Sequence, residues 1–196
     1  MMKLFLLLFS ALFIENYVFV KHYGLCPLVG TGSSVRVNFG LGVSVMAVTT
    51  LSGAVLWPFY RFLFIPFDLE EFTTPLFLVI IAFFVQILEM VLQKRSPALF
   101  AGMGAYLPLT AVNCVIIAAL RTAFSDFSGS FSHFFGCIGY CLGASLSFAF
   151  ALMVFTGVRK RIQEEDLPPS FRGIPMVLIS AGLVAVAFYA FSLLKL

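Results

Sequence analysis

Charge is what this chain has least of. Twelve Lys and Arg and nine Asp and Glu among 196 residues make 11% charged, against about 25% in soluble proteins. A globule of this length cannot cover itself in water with so few charges. The low charge and high apolar content also exclude intrinsic disorder. The same composition excludes a nucleic-acid-binding domain and a secreted disulfide scaffold. Neither of the two histidines, His22 near an interface and His133 in the lead-in to the fifth span, is read as forming a catalytic pair with a carboxylate or thiol, so both are read as structural. Several motifs are missing altogether: a Gly-x-Gly-x-x-Gly after a strand, a phosphate-binding loop, a Gly-x-Ser-x-Gly elbow and a His-Glu-x-x-His pair. Ser52-Gly53-Ala54-Val55 is close to a covalent flavin attachment motif but has Val at the acceptor position, so no covalently bound flavin is expected. A soluble-substrate enzyme has nowhere to place its chemistry here.

What is present is apolar. Hydrophobic residues make up 61% of the chain, and 25 are phenylalanine. The expected class is an all-α membrane protein, because a helix needs about 20 apolar residues to cross the hydrocarbon core. Four runs carry no charge: Val37–Tyr60, Ser96–Leu120, Phe127–Val158 and Gly173–Leu194. Two more are interrupted by one acid each, Leu4–Val20 by Glu15 and Phe72–Gln93 by Glu89. Six transmembrane helices are therefore expected. A β-barrel would alternate polar and apolar residues, and these runs do not. Met1–Phe13 resembles a signal peptide but lacks a small-x-small cleavage site, so it is expected to remain as the first span. Residues 1–196 are read as one integral membrane domain.

Lys and Arg set the orientation. Loops 1–2, 3–4 and 5–6 hold Lys21, Arg36, Lys94, Arg95, Arg159, Lys160, Arg161 and Arg172. The other side holds Lys3, Arg61, Arg121 and Lys195. The excess places the three loops in the cytoplasm and both termini outside. Arg159-Lys160-Arg161 is read as a topology anchor.

Broken membrane helices point to sites, because freed backbone must be hidden in protein or line a cavity. Two breaks stand out. Gly24 to Gly32 holds three glycines and Pro27, and Gly102 to Cys114 holds Pro108. One lies in each half of the chain, about 1–93 and about 96–196, which suggests an inverted three-plus-three repeat. Each break carries a cysteine, Cys26 and Cys114. Such a cysteine is either a small buried hydrophobe or a ligand. A disulfide between the two is also open. Two thiols do not complete a four-thiolate iron–sulfur site, so a partner chain would have to supply the rest. Cys137 and Cys141 share a helix face and interleave with Gly136, Gly139 and Gly143. Close helix packing around Gly139-x-x-x-Gly143 is the preferred reading for them, with metal ligation second. Glu15 and Glu89 are the intramembrane acids and the candidates for carrying a proton or coordinating Na⁺. Glu89 can also reach the interface beside Lys94-Arg95.

Gly24-Leu25-Cys26-Pro27, Gln86-Ile87-Leu88-Glu89-Met90, Ser96-Pro97-Ala98-Leu99-Phe100, Leu107-Pro108-Leu109-Thr110-Ala111-Val112-Asn113-Cys114 and Phe171-Arg172-Gly173-Ile174-Pro175 occur in that order. Together they resemble the small six-helix membrane subunits of the Rnf and Na⁺-translocating NADH:quinone reductase complexes, over nearly the whole chain. The Gly-x-Cys-Pro and Phe-Arg-Gly-x-Pro forms are similar to the A-type member of Rnf. Phe13-Ile14-Glu15-Asn16 and the Gln-Ile-Leu-Glu-Met form are similar to the E-type member of the quinone reductase.

The resemblance implies an iron–sulfur cluster, 2Fe–2S in type, within the membrane. Cys26 and Cys114 would give two ligands, and a homologous subunit of opposite orientation (the E type in Rnf) the other two. It further implies partner subunits carrying flavins and ferredoxin-like domains, in a bacterial cytoplasmic (inner) membrane. The implied role is electron transfer between ferredoxin- or NADH-side carriers and flavins, coupled to Na⁺ or H⁺ translocation. Cys137 and Cys141 match no ligand position of the family. The competing classes are a secondary transporter built on inverted repeats and a cofactor-free scaffold protein.

Overall fold

The run that begins near Val37 folds as the long central helix of the computed structural model, which describes residues 16–64, 72–95, 97–104, 106–126, 132–163, 168 and 173–193. Among these residues all regular structure is helical and no strand occurs. In chain order the helices are α1 Leu25–Gly30, α2 Val35–Phe59, α3 Thr73–Arg95, α4 Pro97–Met103, α5 Leu107–Ala111, α6 Cys114–Asp126, α7 Ser132–Gln163 and α8 Ile174–Leu193. Among the described residues, three segments are long and apolar enough to cross a membrane: Val35–Phe62, Thr73–Arg95 and Phe134–Ile162. Cys114–Ser125 and Ile174–Ala190 are shorter apolar helices. The first expected span lies largely outside the described residues.

The expected span Ser96–Leu120 is not one helix. It is divided among α4, α5 and α6. The prolines do not cut it where their chemistry alone suggests. Pro108 sits in the first turn of α5, where its missing N–H costs nothing, and the chain breaks on either side of it. Pro27 likewise sits in the first turn of α1. Pro58 is different. It lies inside α2 near the carboxyl end, and the next turn widens into a π-helical segment, Tyr60–Phe64.

α2 and α7 form the core of the bundle. Leu41, Val45, Val48 and Leu56 of α2, and Phe148, Leu152 and Phe155 of α7, are fully buried. Small residues let the two helices approach closely. A Cβ on Gly42 would stand 2.9 Å from the Ala149 Cβ, and one on Gly53 would stand 3.0 Å from the Cys141 Sγ. Three of the buried hydroxyls are satisfied within their own helices. Thr49, Ser145 and Thr156 each donate to the carbonyl four residues earlier, at 2.6–2.7 Å, so they enter an apolar interior at little cost. α3 is the outer helix. It buries only the stripe Phe77, Ile81 and Val85 and turns Val79, Phe83 and Met90 outward. In water that face would be a liability; against lipid or a partner it is not.

Candidate functional site

Residues 16–24 lead into α1 through a turn built on Asn16. The Asn16 Oδ1 accepts from the backbone N–H of Val18 at 2.9 Å and of Phe19 at 3.2 Å. The Asn16 carbonyl accepts from Val20 and Lys21. The Tyr17 hydroxyl lies 2.5 Å from the Tyr140 hydroxyl and ties the turn to α7. Phe19 stacks on Phe188 of α8, with ring centroids 4.7 Å apart. The turn ends at Gly24, whose φ of 77° is left-handed and suits glycine.

Gly24 is also the point where the two breaks meet. A Cβ there would fall 2.5 Å from Val115 Cγ2, 3.1 Å from the Phe148 ring and 3.2 Å from the Asn113 Oδ1. Asn113 and Val115 flank Cys114, and Gly24 precedes Cys26 by two residues. The segments that carry the two cysteines are therefore in direct contact. α1 and α5 also touch.

Both thiols stand on the first turn of a helix. Cys26 is the second residue of α1 and Cys114 opens α6. The Asn113 side chain accepts from the Val115 N–H at 3.0 Å and so starts α6 in the manner of an N-cap. Both cysteines are free and exposed, whereas Cys137 and Cys141 are buried. The exposed pair presents two soft donors on the outside of the chain, while the neighbouring Leu28 and Val115, and Phe148 beside Gly24, are buried. Among the described residues no group of three or more His, Cys, Asp or Glu could hold a metal ion within the chain. Two thiols are half of the donor set of a four-thiolate site.

The other candidates fall elsewhere. Glu89 is half-buried on α3, a different element from both cysteines. Glu15 lies outside the described residues. Cys137 and Cys141 are core residues, and Cys141 packs on Gly53 of α2. The expected Gly139 contact does not form: nothing stands within 4 Å of a Cβ placed there. The small residue opposite the cysteine is Gly53 instead, which spacing within one helix cannot reveal.

The family described as "Rnf-Nqr subunit, membrane protein" matches residues 4–195. The chain belongs to the Rnf-Nqr family. Three relatives, all A-type members of their complexes, illustrate the match. The sequence is 35% identical over 195 residues, all of both chains, to that of the Na⁺-translocating ferredoxin:NAD⁺ oxidoreductase complex of Acetobacterium woodii. It is 35% identical over 187 residues to that of the proton-translocating ferredoxin:NAD⁺ oxidoreductase complex of Clostridium ljungdahlii, covering 95% of this chain and 94% of that one. It is 36% identical over 194 residues to that of the ion-translocating oxidoreductase complex of Alcanivorax borkumensis, covering 97% of each. The first two relatives are named for different ions at the same identity, so overall similarity does not carry the coupling ion.

Within this Rnf-Nqr chain, sequence reading singled out the two exposed cysteines but missed what holds them. Gly24 stands out in the sequence only as one glycine of three, and Asn113 only as a member of the Leu107–Cys114 motif. Arg159 was grouped with Lys160 and Arg161 as an anchor. The latter two are indeed exposed, but Arg159 turns inward, and its Nη1 donates to the backbone carbonyl of Thr31.

Proposed function

We propose that this chain is the A-type membrane subunit of a Rnf-type ion-translocating ferredoxin:NAD⁺ oxidoreductase complex, and that Cys26 and Cys114 give two thiolates to an iron–sulfur cluster shared with a homologous subunit of inverted orientation. The contact of Gly24 with Asn113 and Val115 carries this reading, because it brings the two outward thiols onto adjoining helix starts. The names of the relatives support the A type over the E type of the quinone reductase.

When bound, a 2Fe–2S cluster supplies a one-electron carrier within the membrane. The residues of this chain do the rest. Cys26 and Cys114 offer anionic sulfur, Asn113 fixes the start of α6, and Gly24 lets the two segments close on each other. Leu28 and Val115 beside the cysteines in the chain, and Phe148 at Gly24, are buried and apolar, and apolar surroundings tune a redox site. The complex would pass electrons between ferredoxin- or NADH-side carriers and flavins on partner subunits, coupled to Na⁺ or H⁺ movement. In the same reading the chain is one domain of six spans in two inverted halves. It would lie in the bacterial inner membrane with both termini on the periplasmic side. Glu89 and Glu15 are its candidates for ion handling.

The test is iron content and electron paramagnetic resonance on the purified, reduced complex, comparing wild type with Cys26→Ala and Cys114→Ala. Loss of one signal and its iron in both variants, with the subunits still assembled, is the expected result. Persistence of both would make the thiols packing residues and favour a transporter or scaffold role.

A further inference from the structure

The short helix that carries Cys26 ends in a basic clasp. α1 is too short to satisfy its own last carbonyls, and helix ends leave such groups unpaired. Arg159, near the carboxyl end of α7, reaches them. Its Nη1 donates to the Thr31 carbonyl and is shared with the Val29 and Leu28 carbonyls at 3.3 and 3.4 Å. One turn earlier on the same helix, the Thr156 Oγ1 accepts from the Asn38 Nδ2 at 2.7 Å. The Asn38 Nδ2 also donates to the Gly32 carbonyl at 2.8 Å. Two side chains from α2 and α7 thus gather the carbonyl oxygens of residues 28, 29, 31 and 32.

The charge in this clasp is the informative part. Among the described residues the hydrogen-bond partners of Arg159 are carbonyl oxygens and not carboxylates. The guanidinium is half-buried and lies 6.0 Å from the Phe155 ring centroid, at the basic end of the segment Phe134–Ile162. A half-buried charge is screened less than a fully exposed one. Leu28 and Val29 follow Cys26 by two and three residues on α1, at about 1.5 Å rise per residue, and Thr31 and Gly32 lie just past the helix end. Planar guanidinium can serve several carbonyls from one position, which a neutral amide cannot do with charge.

We propose that Arg159 is a positioning residue for the redox site: it holds the carboxyl end of the half-helix bearing Cys26, and its positive charge raises the potential at which an electron is accepted there. This rests on the cluster reading above. Adding an electron makes the site more negative, so a fixed cation nearby stabilises the reduced form. Removing the cation lowers the midpoint potential.

The test is a redox titration of the Cys26- and Cys114-dependent resonance signal in the assembled complex, for wild type, R159K, R159Q and R159M. Both neutral variants are expected to keep iron but to need a more reducing poise. A tenfold change in the reduced-to-oxidised ratio corresponds to about 59 mV for one electron. R159K is expected to restore most of the wild-type potential. Equal potentials in all four proteins would overturn the proposal. So would loss of the assembled complex in both neutral variants, which would make Arg159 a folding residue only. If the wild-type signal does not depend on Cys26 and Cys114, it is the cluster reading that fails. If it does depend on them and ignores Arg159, only the clasp's redox role fails.

Discussion

Gly24 and Val115 stand so close that a single Cβ on the glycine would come within 2.5 Å of the valine side chain. Their contact joins the turn before Cys26 to the helix that Cys114 opens. Gly24→Ala adds that Cβ in a left-handed backbone position, so strain and overlap act together. We expect a loss of about 1–3 kcal/mol, seen as a lower apparent melting temperature of the purified protein in detergent. Iron retained by the complex should fall as well. Gly139→Ala is the control. Its Cβ meets open space, and alanine favours the helix by about 1 kcal/mol, so stability should hold or rise.

Asn113 has one structural duty that can be removed by itself. Its side chain caps the Val115 N–H at 3.0 Å. Asn113→Ala should cost about 0.5–2 kcal/mol, and Asn113→Ser, which keeps a neutral N-cap side chain, should recover much of the cap. Thermal unfolding in detergent checks the first. The line shape of the resonance signal reports whether Cys114 has moved.

The four cysteines should separate by reactivity. Cys26 and Cys114 are exposed, and Cys137 and Cys141 are buried. In the isolated protein, a maleimide should label two thiols quickly and the other two only on denaturation, as counted by intact mass. Cys137→Ala and Cys141→Ala should leave iron and redox signal unchanged. Their effect should be a packing loss of about 1 kcal/mol or more.

The Tyr17 and Tyr140 hydroxyls are 2.5 Å apart and join residues 123 positions apart in the chain. Tyr17→Phe should leave a hydroxyl with a lost partner in an apolar setting, at about 1–3 kcal/mol. The Tyr17→Phe, Tyr140→Phe double variant should lose less than the sum of the two single variants. A double-mutant cycle on melting temperature measures that difference; strict additivity would mean that the hydroxyls do not act as a pair.

Much of this was legible in the residues because membrane insertion is a local demand. Val37–Tyr60 and Phe72–Gln93 each had to be long, apolar and internally hydrogen-bonded, and each matches a helix with ends shifted by only a few residues. The break near Cys114 was legible too, though for a partly wrong reason. Pro108 proved to start a short helix, because proline's missing N–H matters only beyond the first turn.

The sequence by itself determined the membrane class, the apolar segments and the two cysteines beside the breaks, since these follow from composition and from chemistry within a few residues. Only the tertiary structure decided which thiols face outward, which glycine faces Cys141 and where Arg159 goes. Arg159 reaches carbonyls 128–131 residues away. Spacing gave it the same standing as Lys160 and Arg161, because a basic residue near a helix end satisfies the same loop-charge rule whether it meets water or a backbone. What separates the three is the unmet hydrogen-bonding need at the end of α1, and that need meets Arg159 only when the helices pack.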